Sequence, residues 1–152
     1  MIIGNDFLSH AKWSLEQNNH TEIYFRSAIS RAYYSLFHES FKFLKENYRS
    51  ELINKIKHMV AQKNYQDFYD IYEHEKRISE LDLNYILRLG INFHNLIPTV
   101  LRSLNYDYSL EYKEHRKKRN EADYNLDINI NYNDAKHEVE AISNLIVLIQ
   151  SL

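Results

Sequence analysis

Four side chains suited to phosphate chemistry recur at helical spacing near the middle of one segment: Arg31, Tyr34, His38 and Lys42. Steps of three or four residues place them on one side of a helix, with roughly 10 Å along the axis between Arg31 and His38. A guanidinium can bind phosphate, and an imidazole can transfer a proton near neutral pH. This face is predicted to be either the wall of a polar cleft or an ordinary solvated flank, and periodicity leaves both interpretations open.

A second group of cations lies in the segment KEHRKKRNEADYNL, residues 113–126, where Arg116, Lys117 and Arg119 are interleaved with glutamates. Mixed charges of this kind are typical of soluble protein surfaces. Guanidiniums can also hold phosphate oxygens in a forked geometry, and cations near a helix C-terminus complement its dipole. Composition alone does not choose between a solubility feature and a phosphate-binding edge.

The elements that must position these groups are predicted to be helices. Two glycines and one proline leave little turn chemistry for hairpins, and apolar residues recur with a helical period nearly throughout. We therefore predict an all-α, up-and-down bundle of four to five main helices, in a single domain spanning residues 1–152. The predicted helical segments are about 5–17, 21–47, 50–60, 65–89, 98–104, 109–122 and 134–151, with an Asn-rich loop before the last.

Several polar or special residues predict where these helices begin and end. Asn18–Asn19 closes the first helix, and Ser50 caps the third. Ser79 marks a restart, and Gly90 a stop. Pro98 belongs to the first turn of a helix, where its missing N–H costs nothing.

Composition and motifs also narrow the chemistry. The absence of cysteine excludes disulfides and thiolate metal sites and fits a reducing, cytoplasmic location. No segment is apolar and long enough to predict a membrane span. No histidine follows a glutamate by three residues, so no di-iron motif is present, and two isolated glycines cannot form a phosphate loop. We expect no metal and no cofactor. With a net charge of −2, contact with nucleic acid would depend on a local patch.

Two stretches resemble a known family. SAISRAYYSLFHESFKFL, residues 27–44, resembles the Ala-Tyr-Tyr-x-x-Phe-His helix of small prokaryotic proteins of the HEPN superfamily. RNEADYNL, residues 119–126, resembles the Arg-x-x-x-Asp-Tyr segment that precedes the last helix in that group. The order of the two stretches also matches, whereas residues 60–108 match least.

The resemblance implies a bundle that is usually a homodimer. Catalytic members are metal-independent endoribonucleases, often components of toxin–antitoxin or antiviral defence systems encoded beside a nucleotidyltransferase. Their signature is an arginine, then four to six residues, then a histidine; here Arg119 and Asn120 match its start, and Tyr124 stands at the histidine position. Carried onto this chain, the resemblance implies a catalytic set and an RNA-binding set. The catalytic set is Arg119, His38, Tyr124 and Arg31. The RNA-binding set is Arg116, Lys117, Asn120 and Tyr34.

One arrangement reconciles these positions. If Arg119 and Tyr124 face Arg31, Tyr34 and His38 across the bundle, the guanidinium at 119 and the imidazole at 38 share a polar groove. Tyr124 has two alternative roles, as a ring packed between helices or as an acceptor of a nucleotidyl group from a partner enzyme.

Three classes of function stay open on sequence grounds. The first is a ribonuclease, and the second is a non-catalytic HEPN subunit that binds or regulates a nucleotidyltransferase or another effector. The third is a helical oligomerisation domain, since tyrosine is favoured at interfaces.

Overall fold

The computed structural model describes residues 4–17, 21–62 and 71–152, and over these ranges the chain forms eight helices and no strand. It confirms the predicted all-α bundle. The described part of the segment predicted as one helix over 65–89 contains two short helices, so the seven predicted helical segments become eight. The helices are α1 (Gly4–Leu15), α2 (Glu22–Asn47), α3 (Arg49–Ala61), α4 (Ile71–Ser79), α5 (Leu83–Arg88), α6 (Phe93–Leu104), α7 (Tyr106–Tyr124) and α8 (Tyr132–Gln150).

Helix α2 is the central element and packs against α1, α7 and α8. Its predicted apolar stripe is buried, and Ala28, Ala32 and Leu36, at steps of four, have no exposed surface. Small side chains at two of these positions let neighbouring helices approach closely. Full burial of a leucine side chain contributes about 1.5–3 kcal/mol. None of the helices in the described ranges is both long and apolar enough to cross a membrane.

Helix α8 supplies the other half of the core. It begins at Tyr132, two residues before the predicted start, because Asn131 and Asp134 form a reciprocal capping box. The preceding loop sends Ile130 into the core, whereas Ile128 is partly exposed. The apolar residues of this helix that recur at steps of three or four are buried: Ala135, Val139, Ile142, Leu145, Ile146 and Ile149.

Arg26 of α2 fixes the end of α7 and the loop that follows it. Its guanidinium donates to the carbonyl oxygens of Ala122 at 2.9 Å and Asn125 at 3.0 Å, and also to that of Ile128. Glu22, one turn earlier, orients the guanidinium by accepting from Nε at 2.9 Å. Carbonyls that a helix end leaves without partners are thereby satisfied, and the C-terminal half of α7 is held against α2.

The prediction that Pro98 lies in the first turn of a helix is wrong. Helix α6 begins at Phe93, where the Asn92 side chain caps it by accepting the backbone N–H of His94 at 2.9 Å, and Pro98 lies inside the helix. Because proline has no N–H, the carbonyl of His94 loses its intrahelical donor. Nη1 of Arg116 in α7 donates to that carbonyl at 3.3 Å. The proline therefore leaves a polar link between α6 and α7.

Other predicted boundaries differ in detail. Ser79 ends α4 instead of restarting a helix, and Asp82 caps α5 through its side chain. Gly90 stops α5 as predicted, with a φ of 72°. Ser50 does not cap α3, which begins one residue earlier without a side-chain cap. The predicted stop at Asn18–Asn19 lies outside the described residues.

Candidate functional site

The guanidinium of Arg119 lies where α7 meets α2, against two tyrosine rings. Its Cζ is 5.1 Å from the ring centroid of Tyr33 and 5.5 Å from that of Tyr34. The residue is only 6% exposed. Its Nη1 donates to Asp123 at 3.3 Å, which is long for a charge-assisted bond, and its Nε has no hydrogen-bond partner among the described residues. Arg119 is thus a buried cation whose Nε is unused within the described ranges, although burial is outweighed by the two tyrosines and Asp123, which raise its pKa.

Arg116, one turn earlier on α7, is a second partly buried guanidinium. Its Nη1 donates to the side-chain oxygen of Asn95 and to the carbonyl of His94. Nε is buried without a partner in the part of the chain that the structure describes, and no carboxylate there forms an ion pair with this residue. Of these two guanidiniums, only that of Arg119 contacts a carboxylate among the described residues, and that carboxylate belongs to Asp123.

His94 lies beside these cations, at the second position of α6. Its Nδ1 is 2.7 Å from the hydroxyl of Tyr33. Burial, followed by the charges of Arg119 and Arg116, lowers the pKa of His94 to about 4. Burial also raises the pKa of Tyr33, so that hydroxyl keeps its proton. At neutral pH the pair is an uncharged imidazole hydrogen-bonded to an intact phenol.

Sequence reasoning missed His94. It lies in the stretch that matches the HEPN pattern least, and no short motif marks it. The local signal for its position is Asn92, which caps the start of α6. The first residues of α6 lie beside α7. Only the packing of α6 on α7 brings this imidazole to Arg116 and Arg119.

His38 occupies the next position along the same surface of α2. The ring of Phe7 from α1 stacks on it, with centroids 5.1 Å apart and planes 5° from parallel. Burial lowers the pKa of His38, partly offset by the charge of Glu39. A positive charge on His38 would in turn disfavour protonation of His94, so the two imidazoles are electrostatic neighbours. His94 thus adjoins both Arg119 and His38, the two groups expected to share a groove.

The remaining predicted residues divide between two places. Tyr34 lies in the cluster, and Arg31 is exposed at its α1 side, with Cζ 5.8 Å from the ring centroid of Phe7. Lys117, Asn120 and Tyr124 instead line a separate open groove at the end of α7.

Tyr124 itself is 74% exposed, so the alternative in which its ring packs between helices is wrong. It lies in that open groove and not in the cluster around Arg119, Tyr33, Tyr34 and His94. Its assignment to the catalytic set stays a prediction.

No protein-family model, curated protein or solved structure matches the chain. The described residues hold no group of three or more His, Asp or Glu side chains arranged to bind a metal ion. The chemistry at hand is therefore that of two guanidiniums with unused N–H groups beside a neutral imidazole. Such groups can hold a phosphate and accept a proton from a nearby hydroxyl.

Proposed function

We propose that this chain is a HEPN-like, metal-independent endoribonuclease of a toxin–antitoxin or antiviral defence system. RNA would bind with one phosphate against Arg116 and Arg119. The observation that carries the proposal is the unused hydrogen-bonding capacity of these two cations: both Nε atoms are buried without a partner among the described residues. Burying a charge without a strong partner costs several kcal/mol, and an incoming phosphate would offset that cost.

The imidazoles supply the proton transfer that cleavage requires. His94 accepts the proton of the ribose 2′-hydroxyl, whose oxygen attacks phosphorus and displaces the 5′-oxygen of the next nucleotide. The departing oxygen takes a proton from water, and His94 returns its own proton to solvent. The products are a 2′,3′-cyclic phosphate and a 5′-hydroxyl, with no metal in the step. Arg119 stabilises the charge that develops on the phosphate oxygens.

Phosphate binding also tunes this base. In the free protein, burial and the two guanidiniums hold the pKa of His94 at about 4, which makes it a weak base. The negative charge of a bound phosphate opposes the guanidiniums and raises that pKa towards the range useful at pH 7. His38, the neighbouring imidazole, is the second candidate for proton transfer, and Arg31 extends the cationic surface beyond it.

The test is cleavage of a fluorescently labelled RNA by the purified chain in EDTA. We expect cleavage by the parent and its loss in Arg119→Lys, His94→Asn and His38→Ala. A matched control is Arg102→Lys, because Arg102 also lies over a tyrosine ring, at 5.3 Å from that of Tyr106, but on an exposed surface. Cleavage at the parental rate by the Arg119 and both histidine variants would refute the proposal.

The non-catalytic alternative has its own supporting observation. Tyr124 stands at the signature's histidine position and is widely exposed, next to Leu126, which is 81% exposed. An exposed tyrosine and leucine in an open groove suit contact with a partner nucleotidyltransferase. If the parent does not cleave RNA but binds such a partner, and Tyr124→Ala abolishes binding while Arg119→Lys does not, this alternative replaces the nuclease.

Homodimer formation belongs to the same proposal, because the resemblance implies a cleft between two copies. Sedimentation of the purified chain measures it directly. A dimer whose dissociation also abolishes cleavage would support a shared cleft.

A further inference from the structure

A pocket of about 330 Å³ adjoins the arginine–histidine cluster on the side away from α7. Its lining includes three phenylalanines from α2 and α6, Phe37, Phe41 and Phe93, together with Asn92, and His38 and His94 line it where it meets the cluster. Ligand pockets measure about 300–1,000 Å³, so this one suits a small ligand or part of a larger one. Its lining is predominantly apolar and aromatic.

The outer lip of the pocket is formed by two leucines one turn apart on α5. Leu83 is 43% exposed and Leu87 is 54% exposed. Both line the pocket although a large part of each surface remains open to solvent. A pocket that is apolar inside and bordered by exposed leucines can admit a flat apolar group from outside.

The chemistry of the adjoining cluster decides what that group is. The ring of His94 lines the pocket, and its backbone carbonyl accepts a hydrogen bond from Arg116, so the pocket and the cationic cluster are immediate neighbours. The ring of Phe37 lies 4.6 Å from that of His94, centroid to centroid. An anion site next to an aromatic pocket fits a ligand that joins a phosphate to a flat ring, and a nucleotide is such a ligand.

We infer that this pocket holds one nucleobase of the bound RNA, the base of the nucleotide whose phosphate lies against Arg116 and Arg119. The inference rests on the proposed function for the phosphate, but the base contact is a separate claim. Stacking of a base on aromatic side chains is tolerant of sequence and strengthens binding by about tenfold or more per base. The pocket therefore contributes affinity and fixes which phosphate of the strand meets the arginines.

Calorimetric titration of the full chain with two small probes separates the base from the phosphate. The probes are uridine 5′-monophosphate and ribose 5-phosphate, which carry the phosphate on the same carbon of the ribose and differ in the base. We expect the nucleotide to bind at least about tenfold more tightly. Phe41→Leu and Leu87→Asn should remove most of that ratio and leave binding of ribose 5-phosphate unchanged.

A matched control is Leu148→Asn on α8, since Leu148 is 56% exposed, about the same as Leu87, and lies outside the pocket. It should keep the parental ratio. Because Leu87 is exposed, its substitution tests the pocket even if Phe41→Leu fails to fold.

The outcomes distinguish this inference from the proposed function. Equal affinity of the two probes overturns the base pocket and leaves the phosphate site standing. A nucleotide preference that Phe41→Leu and Leu87→Asn do not alter places the base elsewhere and also overturns it. Binding of uridine itself that Leu87→Asn abolishes, without binding of ribose 5-phosphate, supports the pocket and refutes the phosphate site. If no probe binds at millimolar concentration, both fail.

Discussion

Helix α7 carries two polar clusters that are displaced by a single residue in sequence and differ in how their charges are balanced. On one side, His115 and Lys118 share the buried carboxylate of Glu138, at 2.5 Å and 2.8 Å, and each carboxylate oxygen has a partner. On the other side, Arg116 and Arg119 have one carboxylate between them, at 3.3 Å, and two buried Nε atoms without partners in the described ranges. The first cluster is complete, and the second is not.

In the two clusters, burial and neighbouring charges combine differently to shift the pKa of a buried group. Burial alone would raise the pKa of Glu138, but the hydrogen bonds and charges of His115 and Lys118 outweigh it and leave the pKa below its usual value. Burial and neighbouring cations act in the same direction on His94 and hold it neutral. The comparison teaches that the first cluster has a partner for each carboxylate oxygen, whereas the second keeps the unused donors on which the proposed phosphate site rests.

The largest expected effect follows from breaking the complete cluster. Glu138→Gln removes the buried carboxylate that accepts from His115 and from Lys118, whose side chain is 47% exposed, so we expect the free energy of unfolding to fall by about 1.5–3 kcal/mol. Urea denaturation measures it. Glu140→Gln, an exposed glutamate on the same helix, is the control and should change stability by less than about 0.5 kcal/mol. Equal small losses in both variants would show that the first cluster is not structural.

The incomplete cluster should respond in the opposite way. Arg119→Met removes a buried cation with one long ion pair and keeps an apolar side chain over the tyrosine rings, so we expect stability to change by no more than about 1 kcal/mol. RNA cleavage should fall by about 10²–10³-fold because a donor to the developing charge is lost. A stability loss like that of Glu138→Gln, with cleavage intact, would make Arg119 a structural residue.

Lowering the pH should destabilise the protein through its neutral imidazoles. Unfolded histidine binds a proton near pH 6.5, whereas His94 does so only near 4, so the unfolded chain takes up more protons between these values. We expect about 1–3 kcal/mol of stability to be lost as the pH falls through this window, with a smaller contribution of the same sign from His38.

His94→Asn isolates the contribution of that residue. The variant should be less sensitive to pH between 6.5 and 4.5, above the range in which Glu138 loses its charge and its own stabilising effect. Denaturation curves at several pH values measure the slope. An unchanged slope in the variant would contradict a depressed pKa at His94.

Features of the structure differ in how far the local sequence pattern predicts them. The buried stripes of α2 and α8 follow from apolar spacing, and Gly90 ends α5 because its φ of 72° suits glycine. The assignment of Arg119 to the site came from the resemblance and stays a prediction. These features depend on residues close together in sequence, or on one recognisable segment.

The partners of Arg119 could not be predicted in the same way. His94 reaches the site only because α6 packs on α7, and the local rule for Pro98 misplaced the start of α6. Nor can spacing distinguish Arg116 from His115, neighbours that α7 turns towards different helices. Whether a buried charge is compensated is decided by tertiary contacts.

The smallest expected effect is stabilisation by inorganic phosphate. An anion that binds the folded chain alone at ten times its dissociation constant adds about 1.4 kcal/mol to the free energy of unfolding. We expect phosphate to raise the Tm of the parent and of Glu140→Gln and to have little effect on Arg119→Met. A similar rise in all three would indicate a general salt effect.

The most direct test of the central claim is an NMR titration of the His94 ring in the parent and in Arg119→Met, each with and without phosphate. If Arg116 and Arg119 form an anion site around this imidazole, its pKa in the parent is near 4 and rises when phosphate is added or when Arg119 is replaced. In Arg119→Met, phosphate should add much less. A His94 that titrates at the ordinary histidine value and responds to neither change would contradict the account.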